Sequence, residues 1–132
     1  MLGLPLRFLG IRLCLTAVLF ALMPLAAARA EGLQLVMVEQ PGCIYCARWN
    51  AQLGEIYPLT PEGKAAPLVR LDLHDPLPEG MRFARKAVFT PTFVLVQDGQ
   101  ELERIEGYPG EDFFWGLLGV MLKNAGVATD GT

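Results

Sequence analysis

The stretch from Leu33 to Cys46 constrains this chain more than any other. Residues 33–39 (LQLVMVE) form a nearly continuous apolar run of the kind a strand buried on both faces requires. Pro41-Gly42 ends the run. From Cys43 onward Cys46, Trp49, Asn50, Leu53, Ile56 and Tyr57 recur at three- and four-residue steps, the spacing of one helix face. Cys43 and Cys46 therefore fall on the same side of a first helical turn, with Cβ atoms about 5–6 Å apart. A disulfide tolerates Cα separations of about 4.4–6.8 Å, so such a pair opens and closes with little backbone movement.

The two thiols are not equivalent. Cys43 is placed at the helix N-terminus, where unpaired N–H groups and the helix dipole favour an anion. Such positions lower a thiol pKa from about 8.5 to about 3.5–7.5. This makes Cys43 the exposed nucleophile and Cys46, one turn inward, the thiol that resolves a mixed disulfide. The C-x-x-C spacing alone is a moderate signal. Directly after a buried strand and opening an amphipathic helix, it is a strong one.

A different chemistry governs the first thirty residues. Arg7 and Arg12 precede residues 13–28, in which only Thr16 and Pro24 are not apolar. That run is shorter than the ~20 residues of a bilayer-spanning helix, and Ala28-Arg29-Ala30 is an A-x-A cleavage pattern. Residues 1–30 read as a secretory signal peptide cut after Ala30, with no twin-arginine pair and no lipoprotein cysteine at the cut. Residues 31–132 are the expected mature domain, exported to a bacterial periplasm, with Cys14 lost alongside the leader. All 14 acidic residues lie after residue 30, against 8 of the 11 basic ones, so a whole-chain charge of −3 becomes −6 in the remainder. That acidity argues against nucleic acid as a partner.

No repeat or low-complexity stretch divides the remainder. Pro58, Pro61, Gly63 and Pro67 mark a loop, residues 68–72 (LVRLD) a second strand, and residues 79–87 a short helix. Residues 92–97 (TFVLVQ) and 101–106 (ELERIE) flank Asp98-Gly99, a strong hairpin signal. Phe113, Phe114, Leu117, Leu118, Met121 and Leu122 form a wide helical stripe, with Glu111 and Asp112 at its start, Lys123 near its end and Gly126 as the stop. The order is β-α-β-α-β-β-α. The fold class is α/β, a small mixed four-stranded sheet with flanking helices.

With Cys43-Ile44-Tyr45-Cys46, Val88-Phe89-Thr90-Pro91-Thr92 leading into a strand, and a terminal hairpin plus helix, the sequence resembles the thioredoxin superfamily over residues 33–125. The resemblance implies that Pro91, after Thr90, is the family's cis proline facing the dithiol, and that Gly107-Tyr108 is the turn completing the groove. It implies a substrate groove of Ile44, Tyr45, Thr90, Pro91, Gly107 and Tyr108, with Cys43 and Cys46 as catalytic residues. No metal is implied, and no cofactor beyond the redox-active Cys43–Cys46 disulfide. Full thioredoxins carry a strand and helix before the dithiol strand, so this chain is similar to the minimal glutaredoxin-like core. They also carry a buried acid six residues before the first cysteine, where this chain has Met37. Proton transfer at Cys46 then falls to water or another acid, Glu39 being the near candidate.

The tyrosine before the second cysteine is similar to glutaredoxins and to periplasmic disulfide isomerases, whose dimerisation domain has no counterpart here. A monomer is expected. The Pro-Gly-Cys-x-Tyr-Cys motif, the leader and the length resemble the periplasmic thioredoxins of sulfur-oxidising bacteria. Those proteins imply a periplasmic thiol–disulfide oxidoreductase that reduces a protein disulfide or thiol adduct, such as that of a sulfur-carrier protein, with a membrane electron donor recharging it.

Other readings stand beside this one. A C-x-x-C closes a loop too small to restrain the unfolded chain much, which weighs against an inert structural disulfide. The same dithiol suits soft Cu(I), with Met37 or Met81 assisting, which makes a periplasmic copper-binding metallochaperone the alternative function. Zinc lacks a ligand set, because His74 is a lone turn residue. Trp49, Phe113 and Phe114 read as core. Arg82, Arg85 and Lys86 form one helix face, either solvated or in contact with an acidic partner or glutathione carboxylates. Tyr45 is a groove wall or a space-filling aromatic.

Overall fold

The apolar run of residues 33–39 becomes the central strand because it has somewhere to bury both of its faces. In the computed structural model, which describes residues 32–128, β1 (Leu33–Glu39) pairs in parallel with β2 (Leu68–Asp72) on one side and antiparallel with β3 (Thr92–Gln97) on the other. β4 (Gln100–Glu106) closes the sheet, whose order is β2-β1-β3-β4. The leader expected over residues 1–30, with Cys14 and the cut after Ala30, lies outside the described residues. Among those described, no helix is long and apolar enough to cross a membrane.

Strand alternation divides β1 between two cores. Leu35 and Met37 face a large cluster with Trp49, Leu53, Tyr57, Phe93, Phe114 and Leu118, while Val36 and Val38 face a smaller one with Ala87, Val94 and Val96. Trp49 is the hub of the larger cluster, with ring centroids 5.3 Å from Phe93, 5.7 Å from Phe114 and 6.0 Å from Tyr57. Because Trp49 closes α1 (Ile44–Trp49), this packing clamps the helix that carries the dithiol. Phe113, read as core, is instead 70% exposed, and Leu117 of the same stripe is about half exposed, since α3 (Glu111–Asn124) buries the narrower stripe of Phe114, Leu118, Met121 and Leu122.

The mixed four-stranded sheet with flanking helices is as expected, but the helices are placed differently. No helix forms over residues 79–87; the segment runs as irregular chain with a single bridge, Arg82 to Gln100. Its backbone groups find partners on β4. Arg82 N–H donates to Gly99 O (2.7 Å), Glu101 N–H donates to Arg82 O (3.0 Å), and Ala84 N–H donates to a Glu101 carboxylate oxygen (2.7 Å). Arg82, Arg85 and Lys86 consequently share no helix face, and Arg85 instead pairs with Glu106 at 2.7 Å.

The stretch read as a loop is partly helical. A 3₁₀ turn at Tyr57–Leu59 leads into α2 (Pro61–Ala65), where Thr60 caps the helix by accepting from Gly63 N–H (3.0 Å) and Pro61 takes the first position. This is the arrangement in which a proline's missing N–H costs nothing.

Candidate active site

Leaving β1, the chain turns through Gln40-Pro41-Gly42, and Cys43 N–H donates back to Gln40 O at 3.3 Å. Cys43 is the N-cap of α1, in extended conformation, and its Sγ accepts from Cys46 N–H at 3.1 Å. It stands where a side-chain acceptor satisfies an orphan donor of the first turn. Cys43 and Cys46 are joined as a disulfide with Cα atoms 5.2 Å apart. Cys43 is half-buried at the rim, whereas Cys46 is 3% exposed and packs into the large core. The asymmetry expected of an attacking and a resolving thiol is present.

Around the pair, Ile44 (73% exposed) and Tyr45 (53% exposed) stand out from the helix start. The Arg48 guanidinium lies 5.4 Å above the Tyr45 ring. Tyr45 is thus not a space-filling core aromatic. The peptide between Thr90 and Pro91 is cis. Pro91 is buried at the start of β3, and its carbonyl accepts from Gly107 N–H at 2.7 Å, which ties it to the turn before α3. Tyr108, next along, is buried and donates its hydroxyl to Gln52 Oε1 at 2.7 Å. Burial, with Glu111 nearby, raises the Tyr108 phenol above its ordinary value. Gln52 lies seven residues after Tyr45, so hydrogen bonds tie the Pro91–Gly107–Tyr108 strip back to the segment that follows the dithiol helix.

Several residues of this region were not singled out as site residues by the sequence reading. Gln40 Nε2 donates to Thr90 Oγ1 at 3.0 Å, joining the end of β1 to the Thr90-Pro91 strip, and Gln40 Oε1 lies 3.2 Å from the His74 ring nitrogen. Arg70 Nη1 donates to a Glu39 carboxylate oxygen (2.9 Å) and approaches Met37 Sδ (3.7 Å), while Arg70 Nη2 donates to Asn50 Oδ1 (2.8 Å). A charge inside the strand run LVRLD was the one available signal for Arg70. For Asn50 the signal was its place as the one polar residue on the helix face of Cys46 and Trp49, at the start of the π turn, Asn50–Gly54, that continues α1. Glu39, left undecided by alternation, lies on the Met37 face and hence on the dithiol side.

The copper reading loses one of its ligands. Met81 packs with the small core on the opposite face of the sheet, and Met37 is fully buried with a guanidinium at its sulfur.

A family model described as a thioredoxin-like domain matches residues 21–121. No curated protein matches the sequence. Among solved structures, the periplasmic thioredoxin SoxS from Paracoccus pantotrophus, in its reduced form, is similar at 57% identity, with a TM-score of 0.69, covering 70% of this chain and 98% of that one.

Proposed function

This chain belongs to the family of thioredoxin-like domains and is a thiol–disulfide oxidoreductase, and on that premise we propose that it works in the periplasm as a reductant of a protein disulfide or thiol adduct. The carrying observation is the asymmetric pair: Cys43 at the solvent rim on a helix N-terminus, Cys46 one turn inward in the core. The reduced Cys43 thiolate attacks a sulfur of the partner and releases the first partner thiol. Cys46, as thiolate, then attacks Cys43 Sγ, expelling the second partner sulfur and restoring the disulfide seen here. Two electrons pass to the partner.

A groove of Ile44, Tyr45, Thr90, Pro91, Gly107 and Tyr108 suits a polypeptide substrate, because the exposed apolar side chains of Ile44 and Tyr45 stand beside the one attackable sulfur. The likeness to a periplasmic thioredoxin supports export by a cleaved leader over residues 1–30; the sulfur-carrier protein as partner class rests on the Pro-Gly-Cys-x-Tyr-Cys motif. A membrane electron donor would restore the dithiol.

The test is a Cys46→Ser variant, exported in the natural host and recovered with its mixed disulfide intact. Mass spectrometry should identify one dominant protein attached to Cys43, a carrier whose thiol bears sulfur. A spread of newly secreted proteins would instead assign the dithiol to general disulfide formation.

A further inference from the structure

We infer that Glu39 is the proton acceptor for Cys46, held in place by Arg70 and Asn50 as positioning residues. The inference rests on the oxidoreductase reading above and supplies the group that the core lacks, since Met37 occupies the buried position beneath the disulfide. Cys46 is buried, so its thiol stays protonated unless a base removes the proton. β1 alternation places Glu39 on the same face as Met37, two residues further towards the turn that delivers Cys43. One carboxylate oxygen accepts from Arg70 Nη1 at 2.9 Å and the other from Asn50 Nδ2 at 3.4 Å, while Arg70 Nη2 clamps Asn50 at 2.8 Å. The cluster therefore has one orientation.

Glu39, Asn50, Cys43, Cys46 and Ala47 line one solvent-open cavity of about 360 Å³. At roughly 30 Å³ per molecule it has room for a short water chain between carboxylate and thiol. Glu39 and Arg70 are both partly exposed. Such pairs contribute little to stability, so a contact network of this kind is poorly explained as a staple. The charged and titratable groups facing Glu39 are Arg70 and Asp72 from β2, whose Asp72 is its register partner, and His74 beyond Gln40.

In the resolving step the Cys46 proton passes through water to Glu39, the Cys46 thiolate forms the bond to Cys43 Sγ, and the Cys43–partner bond breaks. The departing partner thiolate is then protonated, and Glu39 returns its proton to solvent.

Reaction of the reduced protein with an aromatic disulfide releases two coloured thiolates in sequence, the first by Cys43 attack and the second by Cys46 resolution. In Glu39→Gln the second phase should slow by about tenfold or more at pH 6–7, the scale of a lost general base, with the deficit narrowing only as pH rises past the free-thiol value of about 8.5 and solvent base takes over. Glu39→Asp, which keeps the carboxylate, should recover most of the rate. An unchanged second phase, or one slowed by the same factor at every pH, would overturn the assignment. Failure of the oxidoreductase reading would show separately, as an inability of the wild-type protein to reduce a protein disulfide.

Discussion

Cys43 and Cys46 are the same side chain in two surroundings. Cys43 takes the cap position of α1, half-buried, where the Cys46 N–H of the first turn points at its sulfur. Cys46 sits beneath it among Trp49, Phe93 and Phe114. Helix-end stabilisation favours the Cys43 thiolate and burial disfavours the Cys46 thiolate, so the two act in the same direction on selectivity. Fully reduced protein treated with less than one equivalent of iodoacetamide at pH 7 should therefore carry the label on Cys43 in clear excess, by up to about tenfold for each pKa unit of separation. Peptide mapping by mass spectrometry reads the ratio, and equal labelling would remove the asymmetry on which the attack-and-resolve order depends. This much was legible from spacing alone. Legibility stopped at residues whose partners are remote in sequence: Arg70 meets Glu39 from 31 positions away and Gln40 meets Thr90 from 50, distances that no helical or strand period encodes.

At the scale of elements, strands were easier to read than short helices. β1, β2 and β3 announce themselves by composition, and Asp98-Gly99 turns the last hairpin with φ of 51° and 77°, the positive pair that a two-residue I′ turn demands. α2 was missed because prolines and glycine outweighed its cap signature, Thr60 followed by Pro61. Gly63 in that helix is not a sign of flexibility. A Cβ there would stand 1.8 Å from the Tyr57 carbonyl oxygen and 2.6 Å from its carbon, so the helix and the preceding 3₁₀ turn touch through bare backbone. Tyr57 in turn donates its hydroxyl to Ala66 O at 2.7 Å and stacks against Trp115 with ring centroids 6.0 Å apart. Gly63→Ala should therefore destabilise the protein by about 1–3 kcal/mol, as overpacking does, despite alanine's better helix propensity. Urea unfolding measures it; an unchanged or raised midpoint would show that the two elements can part without cost.

Across the whole molecule, the segment from β2 to β3 is held by β4 in place of a helix of its own. The β3–β4 register shifts between Leu95 and Val96, so Leu102 becomes the extra residue of a bulge and is left exposed. Without the bulge, alternation would put Glu101 and Arg104 on opposite faces; with it, both reach the small-core side and pair at 2.7 Å, each side chain only 6% exposed. Glu101 then accepts from Ala84 N–H, and Arg104 donates to Arg85 O and covers the Phe83 ring at 5.8 Å. One partly buried pair thus fixes residues 83–85, the chain that leads through Val88 and Phe89 into Thr90-Pro91. The Arg104 hydrogen bond holds the Glu101 carboxyl below its usual range, outweighing desolvation. A lowered native value means that the stabilisation is complete above about pH 4.3, the unfolded glutamate value, and is lost as pH falls through the native one. Glu101→Gln should cost about 1–3 kcal/mol at pH 7, because Arg104 loses its charged partner and keeps only the Arg85 carbonyl and the 3.5 Å contact to Glu106. It should also flatten the fall in stability between pH 5 and 3 measured by urea unfolding. The same variant should lose hydrogen-exchange protection first at the Ala84 amide, ahead of β1 and β3. Retained protection at Ala84 would mean that the segment is held by its own packing, and that the bulge has no part in placing the chain before Thr90-Pro91.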